Sequence, residues 1–153
     1  MEYTSGTIGR VFAARFRDGE PVYSGIEAIA QREKVESAMV LILGGARRGG
    51  VVVGPKRADG PIEPMTCEFD DAREIVGAGT IFPTDGRPGL HLHAAIGRGD
   101  QTIVGCPRER LDAFLVLEVF IIEVKGLAGA RQPDPATGLN LLAFANPARV
   151  DLS

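Results

Sequence analysis

A single residue separates two histidines, His91 and His93, and they are the only histidines in the 153-residue chain. Side chains alternate between the faces of an extended strand, so both imidazoles should project from one face. Cys106 follows thirteen residues after His93. Zinc accepts imidazole nitrogen and thiolate sulfur together, and three protein ligands leave one position open. The spacing therefore predicts a metal site, with zinc as the expected ion, at His91, His93 and Cys106.

The segment between these ligands should form a hairpin. The run from Gly97 to Asp100 has turn residues, and Thr102 to Val104 has the β-branched character of a returning strand. A two-residue turn at Arg98-Gly99 would put Cys106 opposite His91, whereas a four-residue loop would put it opposite His93. An odd loop without a bulge would turn the thiol to the other face. The alternative interpretation is two hydrogen-bonded strand histidines and an ordinary buried thiol.

Composition favours one domain, spanning residues 1–153. Twenty glycines and ten prolines suit many short strands joined by tight turns. Seventeen basic residues against twenty acidic ones give a charge of −3, which offers no general attraction to phosphate. Cys67 and Cys106 are the only cysteines, and the first residues lack the basic and then apolar pattern of a signal peptide. We expect a cytoplasmic protein with both thiols reduced and no membrane partner.

The first half of the chain predicts strands around one helix. Thr7 to Phe16 reads as a strand, followed by a polar turn. Ser24 and Glu27 match a capping box, which predicts an amphipathic helix that begins there and runs to about Lys34. Ser37 to Leu43 predicts a buried strand. The following run from Gly44 to Gly50 lacks the lysine and hydroxyl residue of a phosphate-binding loop, so we interpret it as a mobile or bulged hairpin connection.

The segment from Ala113 to Val124 is apolar on both faces and is too short and too charged to span a membrane. A strand covered on both sides indicates a central position or burial by another subunit. Glu118 would then lie in an apolar setting, which raises a carboxyl pKa and suits general acid or base catalysis. The alternative is an edge position from which Glu118 reaches water.

Several segments in order along nearly the whole chain resemble the PPC (plant and prokaryote conserved) domain family. In plants this domain is fused to AT-hook segments, and in prokaryotes it stands alone. The likeness is carried by Arg15 to Glu20, Glu74 to Ile81, Leu90 to His93, Gly105-Cys106, and the late set Arg131, Asp134, Thr137 and Gly138.

The resemblance implies a compact α+β domain, mostly antiparallel β-sheet with one main helix, that assembles as a homotrimer and is similar to the acetolactate decarboxylase fold. Prokaryotic members can hold a metal through a His-x-His pair and a third histidine in a Gly-Gly-His segment. That segment matches Val104-Gly105-Cys106, so His91 and His93 carry over directly and cysteine replaces the third histidine. Cysteine remains a competent zinc ligand.

Three classes of function follow from these residues and this resemblance. The family usually carries a regulatory or DNA-binding label, but Gly86-Arg87-Pro88 only echoes an AT-hook core and follows Asp85, so direct DNA contact is doubtful. A zinc-dependent lyase or hydrolase of a small carboxylate could use Arg131 to hold the substrate and Glu118 to move a proton. Arg131 could instead pair with Asp134. The third class is an oligomeric module that binds a small ligand or metal without turnover.

Overall fold

A computed structural model describes residues 1–59 and 62–151, except the side chain of Glu109. One helix, α1, spans Val22–Glu33. The strands are β1 (Glu2–Tyr3), β2 (Thr7–Arg17), β3 (Ala38–Pro55), β4 (Pro64–Phe69), β5 (Arg73–Thr84), β6 (Arg87–Arg98), β7 (Gln101–Lys125), β8 (Gly129–Pro133), β9 (Asn140–Phe144) and β10 (Ala148–Arg149).

The main sheet contains eight strands, and almost all of its pairings are antiparallel. Strands β3, β5, β6 and β7 form a closed circuit, because β3 pairs with both β5 and β7, which are joined through β6. The exception to the antiparallel rule is one parallel pair between Thr84 of β5 and Arg131 of β8. The chain is therefore an α+β domain, mostly antiparallel sheet with one helix, as predicted.

Helix α1 covers one face of this sheet. Val22, Ile26 and Ala30 lie four residues apart on one side of the helix, and all three are fully buried. They join a single apolar cluster with alternate residues of the strands, among them Val40, Ile42, Leu92, Val119 and Ile121. The helix ends where Lys34 takes a left-handed conformation, as many helices do. Its predicted end near Lys34 is confirmed.

The predicted capping box is wrong. Helix α1 begins two residues before Ser24, with Pro21 in the N-cap position and no side chain capping the first turn. Proline has a backbone that suits the start of a helix, so the chain enters α1 without a hydroxyl cap. Glu27 does not fold back on its own helix; its Oε1 accepts a hydrogen bond from the backbone amide of Leu90 on β6, at 3.0 Å.

The glycine-rich run from Gly44 to Gly50 is not a hairpin connection. It lies within β3, which continues unbroken to Pro55 while its partner changes from β5 to β4. The predicted bulges are present, because the pairing with β7 shifts register at three points between Gly44 and Val51. Glycine is required at Gly44, whose φ of 135° is unfavourable for other residues. The run bends a long strand and does not end one.

The sheet face away from α1 is apolar and exposed. Direct pairing aligns alternate residues of β2, β7, β3 and β5 on this face. We call it the open sheet face, and its large members are 37–62% exposed: Val11, Met39, Leu41, Leu43, Val76, Val116 and Phe120. The Ala113 to Val124 segment is therefore covered on one side only within a single chain. A patch of this kind is typical of a surface that contacts another protein.

No helical segment in the described part of the chain has the length and apolarity that crossing a bilayer demands.

A buried ion pair ties the end of β7 to β2. Both carboxylate oxygens of Glu123 accept from the Arg10 side chain, at 2.8 and 2.9 Å, and one also accepts from the Arg10 amide. The Glu123 side chain is only 10% exposed. Hydrogen bonds from Arg10 lower the pKa of Glu123 from 4.5 to about 2. The ion pair therefore makes its full contribution to the free energy of unfolding above pH 4.5, and this contribution is lost as the pH falls toward 2.

We predict that Glu123→Gln lowers the free energy of unfolding at pH 7 by about 1–2 kcal/mol, because a charge-assisted pair becomes a neutral one while Arg10 stays half exposed. The variant should also lose part of the wild-type dependence of stability on pH between about 4.5 and 2. Urea denaturation at several pH values measures both effects. Glu36→Gln, at an exposed position, is the control. Equal pH profiles for wild type and Glu123→Gln would contradict the assignment.

Candidate metal centre

The three predicted ligands converge. The ligand atoms of His91, His93 and Cys106 all lie within 4.8 Å of one another. The Nε2 atoms of the two histidines are 3.2 Å apart, and the rings meet edge to face with centroids separated by 4.9 Å. His93 is exposed, His91 is partly buried and Cys106 is buried. The cluster therefore has an accessible side and a closed side.

The hairpin that unites the ligands has a two-residue turn, at Gly99-Asp100. The two-residue turn considered at Arg98-Gly99 is one position too early, because Arg98 pairs with Gln101. The prediction that a loop with an even number of residues keeps the Cys106 thiol on the same face as the histidines still holds. In the observed register Ala94 pairs with Gly105, so the next step along both strands puts Cys106 at the position opposite His93, just beyond the end of the paired ladder.

Strand β7 leaves β6 at this point. From Cys106 onward it pairs with β3, where Cys106 lies opposite Val52. Gly105 makes the crossing possible, since a Cβ there would collide with the Val52 carbonyl and come within 2.9 Å of a Val51 methyl group. A glycine directly before the cysteine is thus a steric requirement of the site.

The departure of β7 leaves the edge of β6 near the histidines without a strand partner. The Leu90 amide on this edge is bound by Glu27 of α1. Burial raises the pKa of both Tyr23 and Cys106, and the nearby Leu92 amide, between the two histidines, partly opposes each of these shifts. Glu27 and Tyr23 are positioning residues that sequence reasoning missed. The only feature of the sequence that could have indicated them is their spacing of four residues, which places both side chains on one face of α1.

Burial and positive charge control protonation at the site. Burial is the main cause that lowers the pKa of His91, and the charges of Arg131 and Arg108 add to it. His91 is therefore neutral near pH 7, as a metal ligand must be. Burial raises the pKa of the Cys106 thiol, while Arg108, the Leu92 amide and Arg131 oppose this shift. A cation bound between the three groups would favour the thiolate.

The donor set fits zinc. Tetrahedral zinc with ligands at roughly 2.0–2.3 Å requires ligand atoms about 3.3–3.8 Å apart. The histidine nitrogens already approach this distance at 3.2 Å, and the 4.8 Å limit on the set needs only small side-chain rotations. Two nitrogens and one sulfur are also a combination that zinc binds in proteins with one position left open.

Comparison with known proteins agrees with this arrangement. Residues 3–125 match the family model of the Plants and Prokaryotes Conserved (PCC) domain. The chain belongs to this family, which is the PPC domain family.

Several solved structures share the fold of this chain. A protein of Archaeoglobus fulgidus described as metal-containing, AF0104, aligns with a TM-score of 0.83 and 22% identity, over 94% of this chain and 99% of the other. A PPC protein of Pyrococcus horikoshii gives a TM-score of 0.81 at 22% identity, over 95% and 99%. A Ralstonia eutropha JMP134 protein, for which DNA binding is the suggested role, gives 0.73 at 19%, over 86% and 90%. No curated protein sequence matches the chain.

In this PPC domain a cavity of about 680 Å³ adjoins the metal centre. It lies between the start of α1, the first half of β6 and the β8–β9 hairpin, and His91 and Arg131 both line it. Arg131 does not form the suggested pair with Asp134. Its Nη2 donates to Thr80 Oγ1 at 2.8 Å, whereas Asp134 accepts from the amide and hydroxyl of Thr137.

Glu118 lies apart from the metal centre. It is exposed on the open sheet face, between Arg15 of β2 and Leu43 of β3. Strands β3 and β5 separate this part of β7 from β6, and Glu118 does not line the cavity. Glu118 reaches water, as the alternative expected, but it does so from a central strand and not from an edge, because β7 pairs with both β2 and β3 at this position.

We predict that Glu27→Ala exposes the Leu90 amide and loosens the histidine strand. Loss of this hydrogen bond should cost about 1–3 kcal/mol, because a buried donor is left without its charged acceptor. The Leu90 amide should exchange with deuterium faster by about tenfold or more, and zinc affinity should fall. Glu27→Gln keeps an acceptor and should recover much of the protection. Gln31→Ala, exposed on α1, is the control. Unchanged exchange at Leu90 in Glu27→Ala would refute the role.

Proposed function

We propose that this PPC domain binds one zinc ion per chain through His91, His93 and Cys106. The observation that carries the proposal is the convergence of the three ligand atoms within 4.8 Å. The neutral state favoured for His91 suits a metal ligand, and the two arginines near Cys106 oppose the burial that disfavours its thiolate. Zinc bound through a thiolate also requires a reducing compartment, which agrees with an expected location in the cytoplasm.

We predict that purified protein contains close to one zinc per chain and that Cys106→Ala loses most of it. Cobalt substitution provides a second measurement, because a cobalt–thiolate bond absorbs in the near ultraviolet and should vanish with Cys106. Cys67→Ala is the matched control, since Cys67 is the other free cysteine and lies on β4. Full zinc content in Cys106→Ala would show that the cysteine is not the third ligand.

We further propose a homotrimer, as the family resemblance implies. The open sheet face supports this assembly, because Leu41, Phe120 and their neighbours are left 37–62% exposed in one chain. Antiparallel sheets often expose one face, but that face is then usually polar. An apolar face of this extent is stabilised when another copy covers it.

We predict that light scattering coupled to size exclusion gives three times the mass of one chain. Phe120→Asp should shift the protein to monomers, because it places a charge in the centre of the covered surface. Val150→Asp puts the same charge on an exposed apolar residue of the terminal segment and should leave the mass unchanged. A wild-type monomer would overturn the proposed assembly.

Direct DNA binding is poorly supported by the charges. Many basic side chains are engaged by acidic ones, including Arg10, Arg47, Arg48, Arg73 and Arg98. The AT-hook-like residues Gly86-Arg87-Pro88 lie at the tight β5–β6 turn, and their glycine has a φ of 76°. That conformation differs from an extended arm that could enter a minor groove. A regulatory role would therefore act through a ligand or another protein.

A second candidate function is the binding of a small ligand in the cavity beside His91. A volume of about 680 Å³ lies in the range of small-molecule sites. A zinc-dependent lyase or hydrolase would use the same cavity, but its proposed proton donor, Glu118, lies elsewhere, and Glu27 is occupied by the Leu90 amide. The geometry thus favours a binding module over an enzyme built from one chain.

A further inference from the structure

The cavity beside the metal centre contains more positive than negative charge. Arg108 and Arg131 line it, and Glu27 is the carboxylate among its lining residues. Two positive charges and one negative charge leave a net charge of +1. Neither arginine forms an ion pair with any acidic group in the described part of the chain. This differs from the arginines elsewhere in the fold, which are commonly matched with carboxylates.

Arg131 is the most notable of these groups. Its Nη2 is bound by Thr80, but its Nε is buried without a hydrogen-bond partner among the described residues. Leaving a buried charged donor unsatisfied is costly, so such groups usually meet a partner of opposite charge. Arg131 is fixed in place because β8 pairs with β5 on one side and with β9 on the other. The backbone of Arg131 is thus fixed, and its partly buried side chain lines the cavity.

The remaining walls suit an organic anion. Tyr23 and Ser24 of α1 and Asn140 of β9 supply polar groups, and burial raises the pKa of Tyr23 to about 12, so its hydroxyl keeps a proton to donate. Leu139 and Leu141 provide apolar surface. No other acidic side chain lines the cavity among the residues described.

We propose that this cavity binds a small monocarboxylic acid, whose carboxylate pairs with Arg131 and Arg108 while its apolar part lies against Leu139 and Leu141. The net charge of +1 matches one carboxylate, whereas a phosphate dianion would leave a negative charge uncompensated. Planar guanidinium groups also bind carboxylates through paired hydrogen bonds. The inference rests on the proposed small-ligand role and does not require the metal. Arg131 lies outside the region matched by the family model, whereas Arg108 and the α1 and β6 walls of the cavity lie within it.

The test is a titration followed at the Arg131 Nε–H resonance by nitrogen-15 NMR. Acetate, propionate and 2-hydroxyisobutyrate are added at constant ionic strength to the metal-free and the zinc-loaded protein, with inorganic phosphate and chloride in parallel. We expect saturable shifts with the monocarboxylates in both forms, tighter for the larger acids, and weaker binding of phosphate. Absence of saturation, or tighter binding of phosphate than of every carboxylate, would overturn the proposal.

Variants assign the binding to Arg131. Arg131→Gln should weaken carboxylate binding by about tenfold to a hundredfold, as expected for loss of a charge-assisted pair. Arg131→Lys keeps the charge without the planar fork and should give intermediate affinity, which remains informative if Arg131→Gln folds poorly. Arg32→Gln removes the same charge from an exposed site on α1 and should have no effect. Unchanged affinity in a folded Arg131 variant would refute the proposal.

Zinc content of the same samples separates this proposal from the metal site. If the protein binds zinc but shows no saturable carboxylate binding, the carboxylate site is contradicted and the metal centre is not. Carboxylate binding in a protein that takes up no zinc would contradict the metal centre and leave the carboxylate site supported.

Discussion

The divergence of β7 from β6 after Gly105 determines the rest of the site. A strand edge can pair with one neighbour at a time, so when β7 turns to β3 the first half of β6 loses its partner. Buried backbone amides must still be satisfied. Glu27 of α1 binds the Leu90 amide, and the Leu92 amide lies near enough to Cys106 and Tyr23 to influence the pKa of both. The change in pairing of β7 from β6 to β3 therefore places Cys106 beside the histidines. It also leaves an edge of β6 that α1 contacts and that borders the cavity.

Replacing a third histidine by Cys106 changes the charge that the site must accommodate. A thiolate carries a negative charge that a neutral imidazole lacks, and burial disfavours that charge. Arg108 follows Cys106 by two residues on the same strand, and both it and Arg131 favour the thiolate. Burial lowers the pKa of His91, and the same two charges add to this shift. Cysteine is thus tolerated here because the surroundings are positive, and the excess of positive charge is also what draws an anion into the cavity.

Period-two spacing was enough to predict that His91, His93 and Cys106 share a face, because an even turn preserves parity wherever it falls. The position of the turn could not be fixed, since both Arg98-Gly99 and Gly99-Asp100 satisfy turn chemistry. The capping box failed for a different reason: Glu27 finds a stronger use as an acceptor for β6, a contact 63 residues away in sequence. The sequence predicts two strands where the structure has the single long β3, because a run of glycines is typical of both a bulge and a turn. Tertiary pairing decided each of these cases.

The histidines and the open sheet face are parts of one surface. His91 pairs with Thr80 and His93 with Ala78, and these residues lie opposite Met39 and Leu41 on β3. His93 therefore continues a row of exposed apolar side chains. Covering that row with another copy would also reduce the exposure of His93 and the dielectric around the metal centre, which strengthens every charge interaction there. In the proposed assembly this shared face would couple subunit contact to ligand affinity, and a change in one would be transmitted to the other through the four strands that connect them.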